Sequence, residues 1–178
     1  MNKLLKYSLF LAVLCAISGL LLSFVNSLTA PIIEDRKREE RWAALKIHFN
    51  YFDYRRVDDE SNDTESNVIQ GYFYAFNENK ELEAVIYRTS FEGFENQIIC
   101  LISIKVDGTI EDVKVIDRGK DHDVTKHNFG VTGEPVDDYN FVPKTGSTYT
   151  SNTVRESVEA AVSHFKTISD SLGGVRYE

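Results

Sequence analysis

Cysteine and histidine are scarce in this chain, and their scarcity limits the kinds of site that it can build. Among 178 residues there are two cysteines and four histidines, and none of them has the spacing of a zinc site. Cys15 falls in an apolar N-terminal run and Cys100 in an apolar strand pattern, so we expect no disulfide between them. The sequence therefore predicts neither a metal centre nor a disulfide framework.

The chain also lacks glycine-rich nucleotide-binding patterns, internal repeats and an excess of positive charge. Neither the GxGxxG pattern of dinucleotide-binding folds nor a Walker loop is present. The net charge is −8, from 20 Lys/Arg against 28 Asp/Glu, which argues against nucleic acid as a partner. These absences disfavour a Rossmann enzyme, a P-loop ATPase and a nucleic-acid-binding protein.

A long apolar run opens the chain. The residues from Leu4 to Leu28 are almost wholly apolar and uncharged, and about 20 such residues suffice to cross a bilayer core. The run is longer than the apolar core of a cleaved signal peptide, which has about 7–15 residues. Leu28-Thr29-Ala30, followed by Pro31, is also a poor cleavage site. Residues 1–30 are therefore predicted to form a cytoplasmic N-terminus and a retained transmembrane anchor.

The charges that flank this run do not fix which way it crosses the membrane. Lys3 and Lys6 favour a cytoplasmic N-terminus. The basic residues that follow the anchor favour the opposite orientation, and they are Arg36, Lys37, Arg38, Arg41 and Lys46. Counting Lys and Arg alone therefore leaves the topology open.

The residues after the anchor predict a helix and one further domain. Residues 31–50 are expected to form a juxtamembrane helix, whose apolar stripe of Trp42, Leu45 and Phe49 either packs against the domain or contacts a partner subunit or the headgroup region. Residues 51–178 are expected to form the domain, since the roughly 145 residues after the anchor can bury a real core. Asp58–Asn67, acidic and polar, is predicted to be a solvent-exposed loop.

Alternating patterns in the middle of the chain predict an antiparallel sheet. Four runs rich in β-branched and aromatic residues are separated by turn signals, of which Asp107-Gly108 is the strongest. The predicted strands are Val68–Phe76, Leu82–Arg88, Gln97–Val106 and Thr109–Asp117. With packed helices, these strands predict an α+β domain that follows one N-terminal transmembrane helix.

A C-terminal helix is predicted after the sheet. Thr153 and Glu156 have the spacing of a capping box, and the chain after Ser169 is expected to leave the helix and fray. The apolar residues at helical spacing are Val154, Val158, Ala161, Val162, Phe165 and Ile168. The stretch Thr145–Ser151, a loop of hydroxyls and one glycine, therefore runs into a helix N-terminus.

Such a loop is suited to bind an anion. The first N–H groups of a helix are free, the helix dipole favours negative charge, and Gly146 permits close backbone approach. On these grounds alone an ordinary helix cap and a phosphate site are both possible interpretations.

The same stretch resembles the Ser/Thr-Gly-Ala-Thr-x-Thr-Ser signature of the FMN-binding subunits of membrane redox pumps. One such protein belongs to the Rnf ion-translocating electron-transport complex, and this chain approaches its length. A longer relative belongs to the sodium-translocating NADH:quinone reductase. In that family the threonine after the alanine carries FMN through a phosphoester bond made by a flavin transferase. The resemblance implies that Thr148 is the covalent attachment site. It also implies cofactor contacts from Thr145, Gly146, Ser147, Thr150 and Ser151.

This resemblance implies a membrane-anchored flavoprotein that relays electrons through covalent FMN in an Rnf-type ion-translocating complex. The expected partners are the other membrane subunits and the transferase that matures the protein. The implied localisation is the cell membrane, with a single pass and the soluble domain on the extracytoplasmic side. We expect no catalytic acid–base pair, because the flavin carries the redox chemistry.

Departures from the family pattern keep two alternatives open. Ser147 replaces the alanine, and Val142 stands where the family often has an aspartate. The segment Arg118–Gly130 lacks the family's Glu-Thr-Pro-Gly-Leu-Gly motif. These differences favour a flavin-free structural or assembly subunit of the same fold. A stand-alone FMN electron carrier at the outer surface would share the motif as well.

Further side chains are candidates for completing a flavin site. Basic residues after the fourth strand can meet a flavin phosphate or ring oxygen, and these are Lys120, Lys126 and His127. Aromatic residues can cover the isoalloxazine ring or simply pack in the core, and these are Tyr139, Phe141 and Tyr149. A third group is interpreted as solvated rather than as a metal or acid–base cluster, and it comprises Asp121, His122 and Asp123.

Overall fold

The computed structural model describes residues 3–57, 68–121 and 123–177, and the chain divides into two compact units. The first unit ends at Ile47 and the second begins at His48. The predicted acidic loop Asp58–Asn67 and His122 lie outside the described residues.

The first unit is built on one long helix, α1 (Lys3–His48). Within α1 the segment Tyr7–Ala30 has 24 residues and a mean hydropathy of 2.5, more than the roughly 20 residues that a bilayer core requires. The helix continues through Pro31 without interruption, so the predicted anchor and juxtamembrane helix form one element. Its length and composition support a membrane anchor.

The second unit contains a five-stranded antiparallel sheet in which each strand pairs with the next one along the chain. This meander confirms the α+β fold class, and the four predicted strands are all present. The strands are β1 (Asp53–Val57), β2 (Ile69–Phe76), β3 (Leu82–Glu92), β4 (Gln97–Lys105) and β5 (Ile110–Asp117).

The strand that the sequence did not predict is β1. It is only five residues long and includes Asp53, Arg55 and Arg56, so it has no clear apolar alternation. It lies at the edge of the sheet beside β2, where short strands with charged side chains are common. Pairing with β2 and not an intrinsic pattern accounts for this strand.

One face of the sheet packs against the second helix, α2 (Thr148–Ile168), which lies over β3 and β4. Alternate residues of β4 face this helix and join a core with its apolar side chains. The β4 residues are Ile98, Cys100, Ile102 and Ile104, and the α2 residues are Val154, Val158, Ala161, Val162 and Phe165. Burial raises the pKa of the Cys100 thiol to about 12, so the thiol is neutral at physiological pH.

The C-terminal tail is held to the domain, and the prediction that it frays is wrong. A 3₁₀ helix (Ser169–Gly174) follows α2 and buries Leu172 in the core. Beyond it the Tyr177 hydroxyl donates to Asp53 Oδ2 at 2.9 Å, and the Tyr177 ring meets that of Phe76 edge to face, with centroids 5.2 Å apart. The glycine pair ends the helical structure, but these side chains return the tail to the sheet.

Candidate functional site

Three segments that are distant in sequence meet around a cavity at the N-terminal end of α2. The cavity has a volume of about 370 Å³, within the range of about 300–1,000 Å³ typical of small-molecule sites. The turn between β3 and β4, the loop after β5 and the start of α2 each supply part of the lining. The lining residues are Phe94, Glu95, Lys120, Asp121, Gly146, Ser147, Thr148, Tyr149 and Thr150.

The helix that faces this cavity starts at Thr148, with Ser147 as its N-cap residue. Ser151 N–H donates to the Ser147 carbonyl at 2.9 Å, which is the first bond of the helix. An α-helix leaves the N–H groups of its first turn without intrahelical partners. The backbone of Thr148, Tyr149 and Thr150 can therefore offer N–H groups to a ligand in the cavity.

The predicted capping box is wrong. Thr153 lies inside α2, where its hydroxyl donates to the Tyr149 carbonyl at 3.3 Å. The apolar periodicity begins at Val154, but the helix begins six residues earlier, at Thr148, because the buried side chains of its first turns are mostly small hydroxyls. Apolar spacing alone places the helix start too late.

Gly146 has a backbone conformation that favours glycine and leaves open space beside it. Ser147 N–H donates to the Lys144 carbonyl at 3.1 Å and closes a four-residue turn. Gly146 is the third residue of this turn and has a φ of +80°, the value that a type II turn requires at that position. A Cβ at Gly146 would meet nothing within 4 Å. The glycine is thus needed for its φ angle, and a ligand can approach its backbone.

The predicted site hydroxyls differ in exposure and therefore in what they can do. Thr148 is exposed and lines the cavity, whereas Thr145 is exposed but lies outside the lining. Ser147 lines the cavity but is only 7% exposed. Ser151 and Thr150 are buried. The Ser151 hydroxyl accepts Lys144 N–H at 3.1 Å, and the Thr150 hydroxyl donates to Asp121 at 3.4 Å. Within this stretch, Thr148 presents an accessible hydroxyl to the cavity and the two buried residues hold the loop.

Asp121 is a buried carboxylate of the cavity wall, so its interpretation as a solvated residue is wrong. It is 5% exposed. Its Oδ2 accepts Phe94 N–H at 3.0 Å and its Oδ1 accepts Glu95 N–H at 3.2 Å. Asp123, in contrast, is exposed, and hydrogen bonds from Thr125 lower its pKa. Sequence separation hid the role of Asp121, because its donors lie 26 and 27 residues earlier.

Two exposed aromatic side chains stand together at the cavity. Phe94 is 75% and Tyr149 is 56% exposed, and their rings meet edge to face with centroids 5.9 Å apart. Tyr149 was a predicted ring-covering residue, but Phe94 was not. The other predicted aromatics, Tyr139 and Phe141, pack against the hydrophobic core instead. An aromatic residue directly after Gly93 in a turn was the signal that pointed to Phe94.

One of the three predicted basic side chains reaches the cavity. Lys120 lines it, whereas Lys126 is exposed elsewhere. His127 is engaged with the neighbouring chain segment: its Nδ1 accepts Phe129 N–H at 3.0 Å, and its ring lies 4.8 Å from that of Phe129. Of these three side chains, Lys120 alone is available to an anion at α2.

The region that forms this cavity is related to a known family. Residues 93–163 match the family model of the FMN-binding domain. The matched stretch includes every residue that lines the cavity. No curated protein matches the chain. The match to the FMN-binding domain supports FMN as the cofactor and a flavin-dependent electron-transfer role.

The cavity has features that fit FMN. The free N–H groups at the start of α2 and the open face of Gly146 suit the phosphate. Lys120 adds a positive charge at the same wall. The aromatic pair of Phe94 and Tyr149 suits the flat isoalloxazine ring. These residues would hold the phosphate at one end of the cavity and the ring beside the aromatic pair.

Proposed function

We propose that this protein is a membrane-anchored flavoprotein subunit that relays electrons through FMN bound covalently at Thr148. We further propose that it works in an Rnf-type ion-translocating electron-transport complex. FMN, when bound, supplies the one- and two-electron chemistry. The chain's own residues bind the cofactor, orient it and connect it to the membrane.

The accessible Thr148 hydroxyl at the cavity carries this proposal. A phosphoester to Thr148 keeps the phosphate beside the first N–H groups of α2, where negative charge is stabilised. The neighbouring hydroxyl of Ser147 is buried, so it competes poorly for an enzyme that must reach its acceptor. Exposure therefore favours Thr148 over the residue that replaces the family's alanine.

The attachment step is a phosphoryl-type transfer to an alcohol. The Thr148 oxygen forms a bond to the phosphorus of an activated flavin phosphoanhydride, and the bond between phosphorus and the leaving phosphate group breaks. The hydroxyl proton is released, and no electrons are exchanged. Because a transferase supplies the catalytic groups, the chain needs only a hydroxyl that is accessible and fixed at the end of α2.

The membrane segment supports the proposed partners. Small or polar residues recur every three or four positions along one face of α1, and they are Ser8, Ala12, Ala16, Gly19, Ser23, Asn26 and Ala30. Transmembrane helices associate through such faces, because small side chains permit close packing and polar ones can hydrogen-bond across the interface. This face supports association of the anchor with other membrane subunits.

Mass spectrometry of the flavinylated protein tests the attachment. In full-length protein produced with an active flavin transferase, we expect the peptide from Lys144 to Arg155 to carry one FMN less one water, on Thr148. Thr148→Val should abolish the modification without unfolding the domain, and Thr148→Ser should retain part of it. Ser147→Ala is the matched control and should keep full modification.

The alternatives predict different outcomes of this experiment. A modified Ser147 would show that the assigned position is wrong. An unmodified wild-type peptide, with the transferase shown to be active on another substrate, would favour the flavin-free structural or assembly subunit. A modified protein that purifies from its native membranes without partner subunits would favour the stand-alone carrier.

We also propose that the soluble domain lies on the extracytoplasmic side of the membrane. A cysteine at Asn79, an exposed turn residue, should react with a membrane-impermeant maleimide in intact cells when Cys15 and Cys100 are replaced by alanine. Labelling that requires cell lysis would place the domain in the cytoplasm, as the basic residues after the anchor favour.

A further inference from the structure

The walls of the cavity are joined by one carboxylate. Asp121 accepts the N–H groups of Phe94 and Glu95 from the β3–β4 turn, one on each oxygen, at 3.0 and 3.2 Å. The Thr150 hydroxyl of α2 donates to its Oδ2 at 3.4 Å. Three segments of the chain thus converge on one side chain that is 5% exposed.

The surrounding backbone is shaped to admit this carboxylate. A Cβ at Gly93 would lie 2.6 Å from Asp121 Oδ2 and 2.5 Å from the Asn96 carbonyl oxygen, so only glycine permits the observed approach. On its own side Asp121 N–H donates to the Arg118 carbonyl at 3.0 Å, and the Arg118 guanidinium donates to the Asp121 carbonyl. The side chain and the main chain of Asp121 are therefore both held in place.

No cationic side chain in the described ranges forms an ion pair with this carboxylate. Its negative charge is held by two N–H groups and one hydroxyl, next to a cavity suited to a phosphate. A carboxylate without a cationic partner near an anion site opposes anion binding through repulsion. Its two acceptor oxygens account for its presence, because they can serve two backbone donors at once.

We infer that Asp121 is a positioning residue for the bound flavin ring, an inference that rests on the proposed function. By fixing Phe94 N–H, the carboxylate places the Phe94 ring against that of Tyr149, one residue after the attachment threonine. The orientation of the isoalloxazine ring then depends on Asp121 through Phe94, while the covalent bond to Thr148 does not.

Asp121→Asn in full-length flavinylated protein tests this inference. The asparagine amide has one acceptor oxygen, and its NH₂ group would oppose one of the two N–H donors. We expect flavin attachment to persist, the flavin's induced visible circular dichroism to be lost and its fluorescence anisotropy to fall. The matched control is Asp123→Asn, which removes the same charge from an exposed residue outside the cavity and should keep both signals.

A double variant shows whether Asp121 acts through Phe94. Phe94→Ala should lower both signals by itself, and adding Asp121→Asn should lower them no further, because contacts in one path are not additive. A further, independent loss in the double variant would overturn the inference.

Each remaining outcome also decides the matter. Spectra of Asp121→Asn that equal the wild type, or an equal loss in Asp123→Asn, would overturn the inference while leaving the covalent site intact. A wild-type protein that carries no flavin would overturn the proposed function and this inference together. If Asp121→Asn does not fold, Asp121→Glu keeps the charge and both oxygens but moves them by one methylene. Unchanged spectra in that variant would likewise overturn the inference.

Discussion

The two halves of α2 bury different kinds of side chain. In the first half, from Thr148 to Ser157, the buried residues are Thr150, Ser151, Thr153, Val154 and Ser157, four of which carry a hydroxyl. In the second half they are Val158, Ala161, Val162 and Phe165, all of them apolar. The first half uses hydrogen bonds to hold loops around a cavity, and the second half removes apolar surface from water. One helix thus separates the binding of a ligand from the stability of the domain.

The largest effect that we expect is on stability, from the second half of the helix. Phe165 is 2% exposed in the core, so Phe165→Ala should reduce the free energy of unfolding by about 3–5 kcal/mol. Phe94→Ala removes the same side chain from an exposed position and should change it by no more than about 0.5 kcal/mol. Urea unfolding of the two variants provides the measurement. Similar losses would show that the cavity side of the domain supports the core as well.

A smaller effect on stability, with a large effect on the cofactor, is expected at Gly146. Gly146→Ala places a side chain at a φ of +80° and should cost about 1–2 kcal/mol. Gly133 is the matched control, because its φ is +84° and a Cβ there would also meet nothing within 4 Å. Both variants should lose similar stability, but only Gly146→Ala should lower flavin content, measured by absorbance of the purified protein. Equal flavin content in the two would refute the role of the Gly146 backbone.

The smallest effect on stability is expected from Tyr149, whose ring is more than half exposed. Tyr149→Ala should alter the free energy of unfolding by no more than about 0.5 kcal/mol. It should nevertheless remove half of the aromatic pair and change the fluorescence of the attached flavin. Tyr149→Phe keeps the ring and should preserve that signal. If the alanine variant has wild-type flavin fluorescence, the aromatic pair does not contact the ring.

The elements with their own periodicity could be predicted from the sequence. The four long strands and α2 have apolar residues at regular spacing, and the turn at Asp107-Gly108 is encoded locally. The edge strand β1 has no such pattern, and it forms because β2 offers a partner. The same limit applies to the cavity. The loop at Thr148 is a local motif, whereas Phe94 and Asp121 reach it through contacts between residues far apart in the chain.

The clasp between Tyr177 and Asp53 brings the last residues of the domain beside its first strand. The entry and exit of the domain are therefore neighbours, an arrangement that suits circular permutation and the insertion of one domain into another. A module fused to the C-terminus would emerge next to the strand by which the chain enters the domain. The cavity at the start of α2 is built from other segments, so such a fusion would leave the flavin face free.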